Sequence, residues 1–169
     1  MMRLLRSGPL AVLLSLILLV ILVVVLVDGA FTLLTRPQYV TVDIPLPGGE
    51  AWGPAQTARA TFNNGTAALD VRWQATTLAS GATWEEALTI FRDTLIGQGW
   101  APLAAPPAID PCPAVLEELG MGGAATTCFG PADHDRPDRQ PPLVCLAGEA
   151  AGDSLRVALI TASAPHANW

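Results

Sequence analysis

The longest feature of the hydrophobic pattern is an apolar run near the N-terminus. From Leu10 to Val27 the chain has 18 residues, and only Ser15 among them is polar. As a helix that rises about 1.5 Å per residue, this run spans roughly 27 Å, close to the hydrocarbon thickness of a bilayer. The pattern predicts a single transmembrane anchor over residues 10–27.

Charges on either side of the run predict its orientation. Arg3 and Arg6 precede it, and Asp28 is the first charged residue after it. By the positive-inside rule, residues 1–9 are expected in the cytoplasm, and a juxtamembrane linker over 28–38 leads to the far side of the cell membrane. The alternative is a cleaved signal peptide, whose apolar stretch is typically about 7 to 15 residues followed by small residues.

Within the run, Ala11 and Ser15 lie four residues apart. Small residues at this spacing let a neighbouring helix approach closely, so this side is a candidate contact with other membrane subunits. A plain lipid-facing anchor is the alternative. The run contains no ionisable residue, which excludes a proton relay or an ion site within this helix.

Alternation around Asn64-Gly65 predicts a β-hairpin, because Asn-Gly suits the positive φ angles of a two-residue turn. The register that fits places Arg59 opposite Asp70 on one face. The apolar residues then pair on the other face: Phe62 with Ala67, Ala60 with Leu69 and Ala58 with Val71. A shift of one residue would separate Arg59 from Asp70 and would also break the apolar pairs. Tyr39–Leu46, which also alternates, is predicted as an earlier strand.

The clearest helix signal begins at Thr83, where Thr83-Trp84-Glu85-Glu86 forms a capping box. An apolar stripe follows at spacings of three and four residues, formed by Trp84, Ala87, Leu88, Phe91 and Leu95. Gly97 and Gly99 are expected to end this helix, and Trp100 to return to the sheet.

Residues 101–142 are rich in proline, with nine prolines among 42 residues. A short helix is predicted over Pro113–Leu119, closed by Gly120, then a brief strand at Thr127–Phe129 and a polar loop over 132–140. A second hairpin is predicted from strands 143–147 and 154–161, joined through 148–153. In its expected register Leu146 lies opposite Leu155, and Val144 lies opposite Val157.

The order strand, helix, strand, strand predicts an α+β domain over residues 39–162, in which one amphipathic helix covers a small, mainly antiparallel sheet. Residues 163–169 are expected to form a tail.

The helix and its flanks also carry a resemblance. Thr83-Trp84-Glu85-Glu86-Ala87-Leu88, Phe91-Arg92, Leu95 and Gly99-Trp100 resemble a pattern of small membrane-tethered or lipid-tethered bacterial α+β domains, most of them of unknown function. The similarity covers residues 67–161. It implies a bacterial, extracytoplasmic setting and transfers no catalytic residue.

The amino-acid composition and the net charge argue against a disordered protein and against a nucleic-acid-binding protein. The chain is 51% apolar and 14% charged, which excludes a disordered protein. Residues 28–169 hold all 15 carboxylates and seven arginines, a net charge of −8. Nucleic-acid binding needs a basic face, so no nucleic-acid partner is expected.

Three cysteines on the oxidising side of a membrane predict one disulfide and one free thiol. If Phe129 and Val144 face the core on neighbouring strands, Cys128 and Cys145 both point to the other face, which favours their pairing. Cys112 with Cys128, and Cys112 with Cys145, remain alternatives. No spacing matches a zinc site, a haem-attachment motif or a Cys-x-x-Cys pair, so no metal or cofactor is expected.

Candidate catalytic groups have simpler explanations. Asp133, His134 and Asp135 are consecutive and lie in a charged loop, and His166 lies near the end of the chain. Glu85 and Glu86 point about 100° apart on a helix and belong to its cap. No nucleophile–histidine set is evident, so the chain is not expected to be an enzyme.

Five tryptophans divide into two groups. Trp73, Trp84 and Trp100 fit the core, whereas Trp52 and Trp169 are candidate contacts with a partner or the lipid interface. For Trp52, a loop anchor is the alternative.

These observations favour a non-catalytic, single-pass accessory subunit of a bacterial membrane complex, for which an energy-converting assembly is one candidate. The lipid bilayer and other membrane subunits are its expected partners. The alternative is a membrane-anchored sensory module that binds an extracytoplasmic ligand on the sheet face away from the helix.

Overall fold

The structure is a computed structural model that describes residues 9–34, 39–62, 67–105, 107, 109–133 and 142–164. It divides into two units: an N-terminal helix and the domain that follows it. The helices are α1 (Pro9–Leu34), α2 (Trp84–Gly97) and α3 (Cys112–Glu118). The strands are β1 (Gln56–Phe62), β2 (Ala67–Leu78), β3 (Trp100–Pro102), β4 (Ala125–Pro131), β5 (Leu143–Ala151) and β6 (Ser154–Ser163).

Helix α1 contains the predicted apolar run and continues through residues 28–34. Its side chains are described from Leu14 to Val27, a stretch of fourteen residues. Over the residues that the structure describes, no helix has both the length and the apolar character needed to cross a membrane.

The six strands form one sheet in the order β1-β2-β6-β5-β4-β3, and all neighbouring strands are antiparallel. This confirms the predicted α+β class and the antiparallel sheet.

The first hairpin has the predicted register. Arg59 lies opposite Asp70, and Ala60 lies opposite Leu69. The Nε of Arg59 donates a hydrogen bond of 2.8 Å to Oδ1 of Asp70, whose side chain is fully buried. This hydrogen bond raises the pKa of the Arg59 guanidinium. The turn at 63–66 lies outside the described residues.

The predicted strand at Tyr39–Leu46 is wrong, although its alternation is real. Ile44 and Leu46 are buried and Asp43 is exposed, but the segment joins no strand ladder. Instead it lies over the sheet, where the Thr161 hydroxyl donates a hydrogen bond of 2.9 Å to the carbonyl oxygen of Val40. Alternation indicates one buried side and one exposed side, which a coil across a sheet also produces.

Helix α2 begins and ends as predicted. The Thr83 hydroxyl accepts a hydrogen bond from the Glu86 backbone N–H and donates one to the Glu86 carboxylate. The carboxylate therefore binds the cap hydroxyl, in place of the backbone N–H expected in a capping box. Gly99 has a φ of 85°, which glycine adopts without strain, and the chain then enters β3 at Trp100.

The predicted register of the second hairpin is wrong by four residues. Leu146 lies opposite Leu159, and Leu155 lies opposite Ala150. The strands continue through 148–151 to a tight turn at Gly152-Asp153, where Gly152 has a φ of 65°. Glycine and alanine between 147 and 152 gave this stretch the appearance of a loop. A shift of four residues is even, so every side chain keeps its predicted face.

Each face of the sheet carries a buried hydrophobic cluster, which corrects the prediction that a single helix covers the sheet. The α2 face packs against Ala87, Phe91 and Leu95 of α2 and is formed by Leu78, Phe129, Val144, Leu146, Leu155, Val157 and Leu159. The α3 face packs against Cys112, Val115 and Leu116 of α3 and is formed by Leu69, Val71, Trp73, Leu143, Cys145, Ala147, Ala158, Ile160 and Ala162.

We expect the substitution Gly148→Ala to lower the free energy of unfolding by about 1 to 3 kcal/mol. A Cβ atom at Gly148 would lie 2.6 Å from Cδ2 of the Trp84 ring, so the ring would have to move. Chemical denaturation followed by tryptophan fluorescence measures the change. Gly122→Ala is the matched control, because nothing lies within 4 Å of its added Cβ. Equal losses in both variants would contradict this packing.

Candidate functional site: a cluster of three cysteines and an aspartate

Cys128 and Cys145 are joined by a disulfide between β4 and β5. They are directly opposite each other in the register, with their Cα atoms 4.2 Å apart. Phe129 and Val144 form the next pair, and both are buried on the α2 face. The two cysteines therefore point to the α3 face, which confirms the disulfide that side-chain parity favoured.

The third cysteine is the first residue of α3. Cys112 is 2% exposed and packs with Val115 and Leu116, three and four residues further along, against the α3 face. Its backbone N–H donates a hydrogen bond of 2.9 Å to Oδ1 of Asp110. This bond, with buried Pro111 between the two residues, fixes Asp110 next to Cys112.

Asp110 and the three cysteines converge at one point, and we refer to these four residues as the cysteine cluster. One carboxylate oxygen of Asp110 and the three sulfur atoms all lie within 4.8 Å of one another. The sequence gives no sign of this cluster, because the cysteines are 16 and 17 residues apart and fit no metal-binding motif. Packing of α3 against the sheet brings them together.

An open cleft leads to the cysteine cluster. It has a volume of 330 Å³ and is lined by Leu103, Ala104, Ala105, Asp110, Thr126, Thr127 and Cys128. Cys128 and Asp110 are half-buried, whereas Cys112 and Cys145 are buried. A small reagent or ion in the cleft therefore reaches Cys128 and Asp110 first.

Burial is the main cause that raises the pKa of the Cys112 thiol, and the nearby Asp110 carboxylate raises it further. The thiol therefore stays protonated at neutral pH. Since the thiolate is the reactive form, Cys112 is a poor nucleophile in the folded protein.

We expect iodoacetamide to leave Cys112 unmodified in the folded full chain at pH 8 and to modify it once denaturant is added. Intact-protein mass spectrometry counts the added groups. Ala114→Cys supplies a control, because position 114 is exposed on the same helix and should be modified without denaturant. Rapid modification of Cys112 in the folded chain would show that its thiol is accessible.

The same thiol gives a pH dependence of stability. Its pKa is raised in the folded state above the ordinary value of 9.0, so only the unfolded chain loses this proton as the pH rises past about 9. Stability should then fall by about 1.4 kcal/mol per pH unit more than in Cys112→Ala. Denaturant titrations of both proteins between pH 8 and 10.5 measure the difference, and identical slopes would contradict it.

The other candidate residues lie apart from this cluster. Glu86 serves the cap of α2, and Asp133 is exposed. His134, Asp135, His166 and Trp169 lie outside the described residues. Trp73, Trp84 and Trp100 pack against the two cores, as predicted.

Trp52 is a loop anchor, the second of its two predicted roles. Its indole N–H donates a hydrogen bond of 2.7 Å to the carbonyl oxygen of Ile44, and its ring lies 5.9 Å from that of Phe91. In α1, Ser15 is exposed, and the side chain of Ala11 is outside the described part. Their contact with a partner stays a prediction.

Comparison of the chain with protein-family models, with curated proteins and with solved structures found no match.

Proposed function

We propose that the chain is a single-pass bacterial membrane protein, anchored by residues 10–27. Its domain lies outside the cytoplasm and serves as a non-catalytic accessory subunit of a larger membrane complex. One observation carries this proposal. The thirteen apolar side chains between Leu14 and Val27 are all exposed, with exposed fractions from 48% to 68%.

A helix with apolar side chains on every side needs an apolar environment all round. In a soluble surface helix, by contrast, polar residues occupy one face. Ser15 is the only polar residue in the run of residues 10–27, so this part of α1 offers no face suited to water. A lipid bilayer provides the required environment, and the 18-residue run has about the required length.

Two further features support placement of the domain on the far side of the membrane. Arginines precede the run and Asp28 follows it, as the positive-inside rule requires for this orientation. The Cys128–Cys145 disulfide suits an oxidising compartment, because thiols in the cytosol are kept reduced.

The sheet supports an accessory role more than a sensory one. The sensory alternative needs a free sheet face away from α2, but α3 packs on that face through Cys112, Val115 and Leu116. Strand β1, by contrast, is an edge strand that pairs, within the described residues, only with β2. An extended segment of a partner subunit can add to such an edge through backbone hydrogen bonds.

Gentle solubilisation of the source membrane tests the accessory role. We expect the chain to migrate in a larger assembly on native electrophoresis. A photo-crosslinker at exposed Thr57 of β1 should join it to a neighbouring subunit, whereas one at exposed Glu117 of α3 is the matched control. Recovery of the chain only as a free monomer, with no crosslink from Thr57, would contradict the proposal.

A further inference from the structure

We propose that the cysteine cluster, once its disulfide is reduced, is a binding site for zinc or a similar thiophilic divalent cation. Reduction of Cys128–Cys145 supplies two thiols beside Cys112 and the Asp110 carboxylate. Three sulfurs and one carboxylate oxygen are donors that zinc takes in four-coordinate protein sites. The four atoms already lie within 4.8 Å of one another, although they come from α3, the loop before it, β4 and β5.

The spacing of the donors is close to that of a tetrahedral site. Metal–sulfur bonds of about 2.3 Å place the sulfur atoms of such a site about 3.8 Å apart. The sulfurs of Cys128 and Cys145 must separate once their bond is broken, and the Cys112 sulfur and the Asp110 oxygen need to approach by roughly 1 Å. Rotation of the side chains can supply both movements while β4 and β5 remain paired.

Asp110 is held as a metal-binding carboxylate usually is. Its Oδ1 accepts the backbone N–H of Cys112 at 2.9 Å, which orients the carboxylate beside the three sulfur atoms. Hydrogen bonds of this kind orient the ligands of a metal site and raise its affinity. Proline residues on both sides of Cys112 further restrict the backbone of this segment.

The cleft at Cys128 gives a cation a route into the site. Asp110, Thr126, Thr127 and Cys128 are among the residues that line it. The cation therefore has an entry path to two of its four ligands without any strand being displaced.

Reduction of the Cys128–Cys145 disulfide requires a dithiol as the reductant. The dithiol transfers two electrons and two protons to Cys128–Cys145 and is itself oxidised to a disulfide. The metal then binds three thiolates and one carboxylate, and three thiol protons pass to water. In the reverse direction a disulfide oxidant takes two electrons from Cys128 and Cys145 and two protons from water to become a dithiol, Cys112 regains its proton, and the cation is released. The cluster thus alternates between a structural disulfide and a metal site, according to the reductant present.

Titration of the full chain in detergent with Co²⁺ tests this proposal, because cobalt reports tetrahedral thiolate coordination by its visible absorption. A phosphine reductant is used, since it competes weakly for metal. We expect one Co²⁺ per reduced chain, displacement by Zn²⁺, and no stoichiometric binding by the oxidised chain. Cys112→Ala and Asp110→Asn should each weaken binding at least tenfold.

Two controls distinguish loss of metal binding from loss of folding. Tryptophan fluorescence establishes that each variant is folded, and Asp133→Asn, at an exposed carboxylate on the loop after β4, should bind as the unmodified chain does. Absence of binding by the folded, reduced chain would overturn the proposal. Equal binding by Cys112→Ala, or a spectrum of six-coordinate cobalt, would overturn it too.

Discussion

Replacement of Phe91 by alanine is expected to lower the free energy of unfolding by about 3 to 5 kcal/mol. Phe91 has no exposed surface and packs against the α2 face of the sheet. Its removal leaves a cavity between α2 and the sheet, and it also takes away the ring on which Trp52 rests. Denaturant titration of the full chain, followed by tryptophan fluorescence, measures this loss.

The neighbouring residue on the same helix provides the control. Ile90 is 39% exposed, so Ile90→Ala shortens an apolar side chain of the same helix without opening a core cavity. We expect a loss below about 1 kcal/mol for this variant. Similar losses at positions 90 and 91 would mean that α2 does not bury the face described above.

Removal of the disulfide is expected to cost about 2 to 5 kcal/mol. The bond joins residues 17 apart and closes the part of the chain between β4 and β5, including the predicted polar loop over 132–140. Cys112 lies within 4.8 Å of both partners and could replace either of them, so it must be absent from both proteins compared. The measured pair is therefore Cys112→Ala and the double variant Cys112→Ala/Cys145→Ala.

Denaturation under non-reducing conditions gives the difference between these two proteins, and a reductant should abolish it. Equal stability without reductant would show that the disulfide does not form in the folded chain. Peptide mapping of the single variant identifies the bond directly, and it should find Cys128 linked to Cys145.

Local chemistry was sufficient to predict several elements from the sequence. The Asn-Gly turn and the Arg59–Asp70 pair fixed the register of the first hairpin. A shift of one residue would break both this charge pair and the apolar pairs on the other face. The Thr83 cap and the glycines after residue 96 bounded α2. The alternation of side chains between the two faces of β4 and β5 also favoured the pairing of Cys128 with Cys145.

Where long-range packing decides the structure, the sequence was less informative. Alternation at Tyr39–Leu46 indicates a buried side but not the partner that buries it. Glycine and alanine in 147–152 obscured the full length of β5. The cysteine cluster depends on α3 folding onto the sheet, although the i, i+3, i+4 spacing of Cys112, Val115 and Leu116 was a usable signal for a buried helix face.

Protease digestion of intact spheroplasts that carry the full chain tests the membrane placement most directly. With an epitope at the C-terminus, we expect protease to remove the epitope, while an N-terminal fragment resists alkaline extraction from the membrane. N-terminal sequencing should place the start of the chain before residue 10. A protected epitope, or a mature chain that begins near residue 31, would contradict the anchor and its orientation.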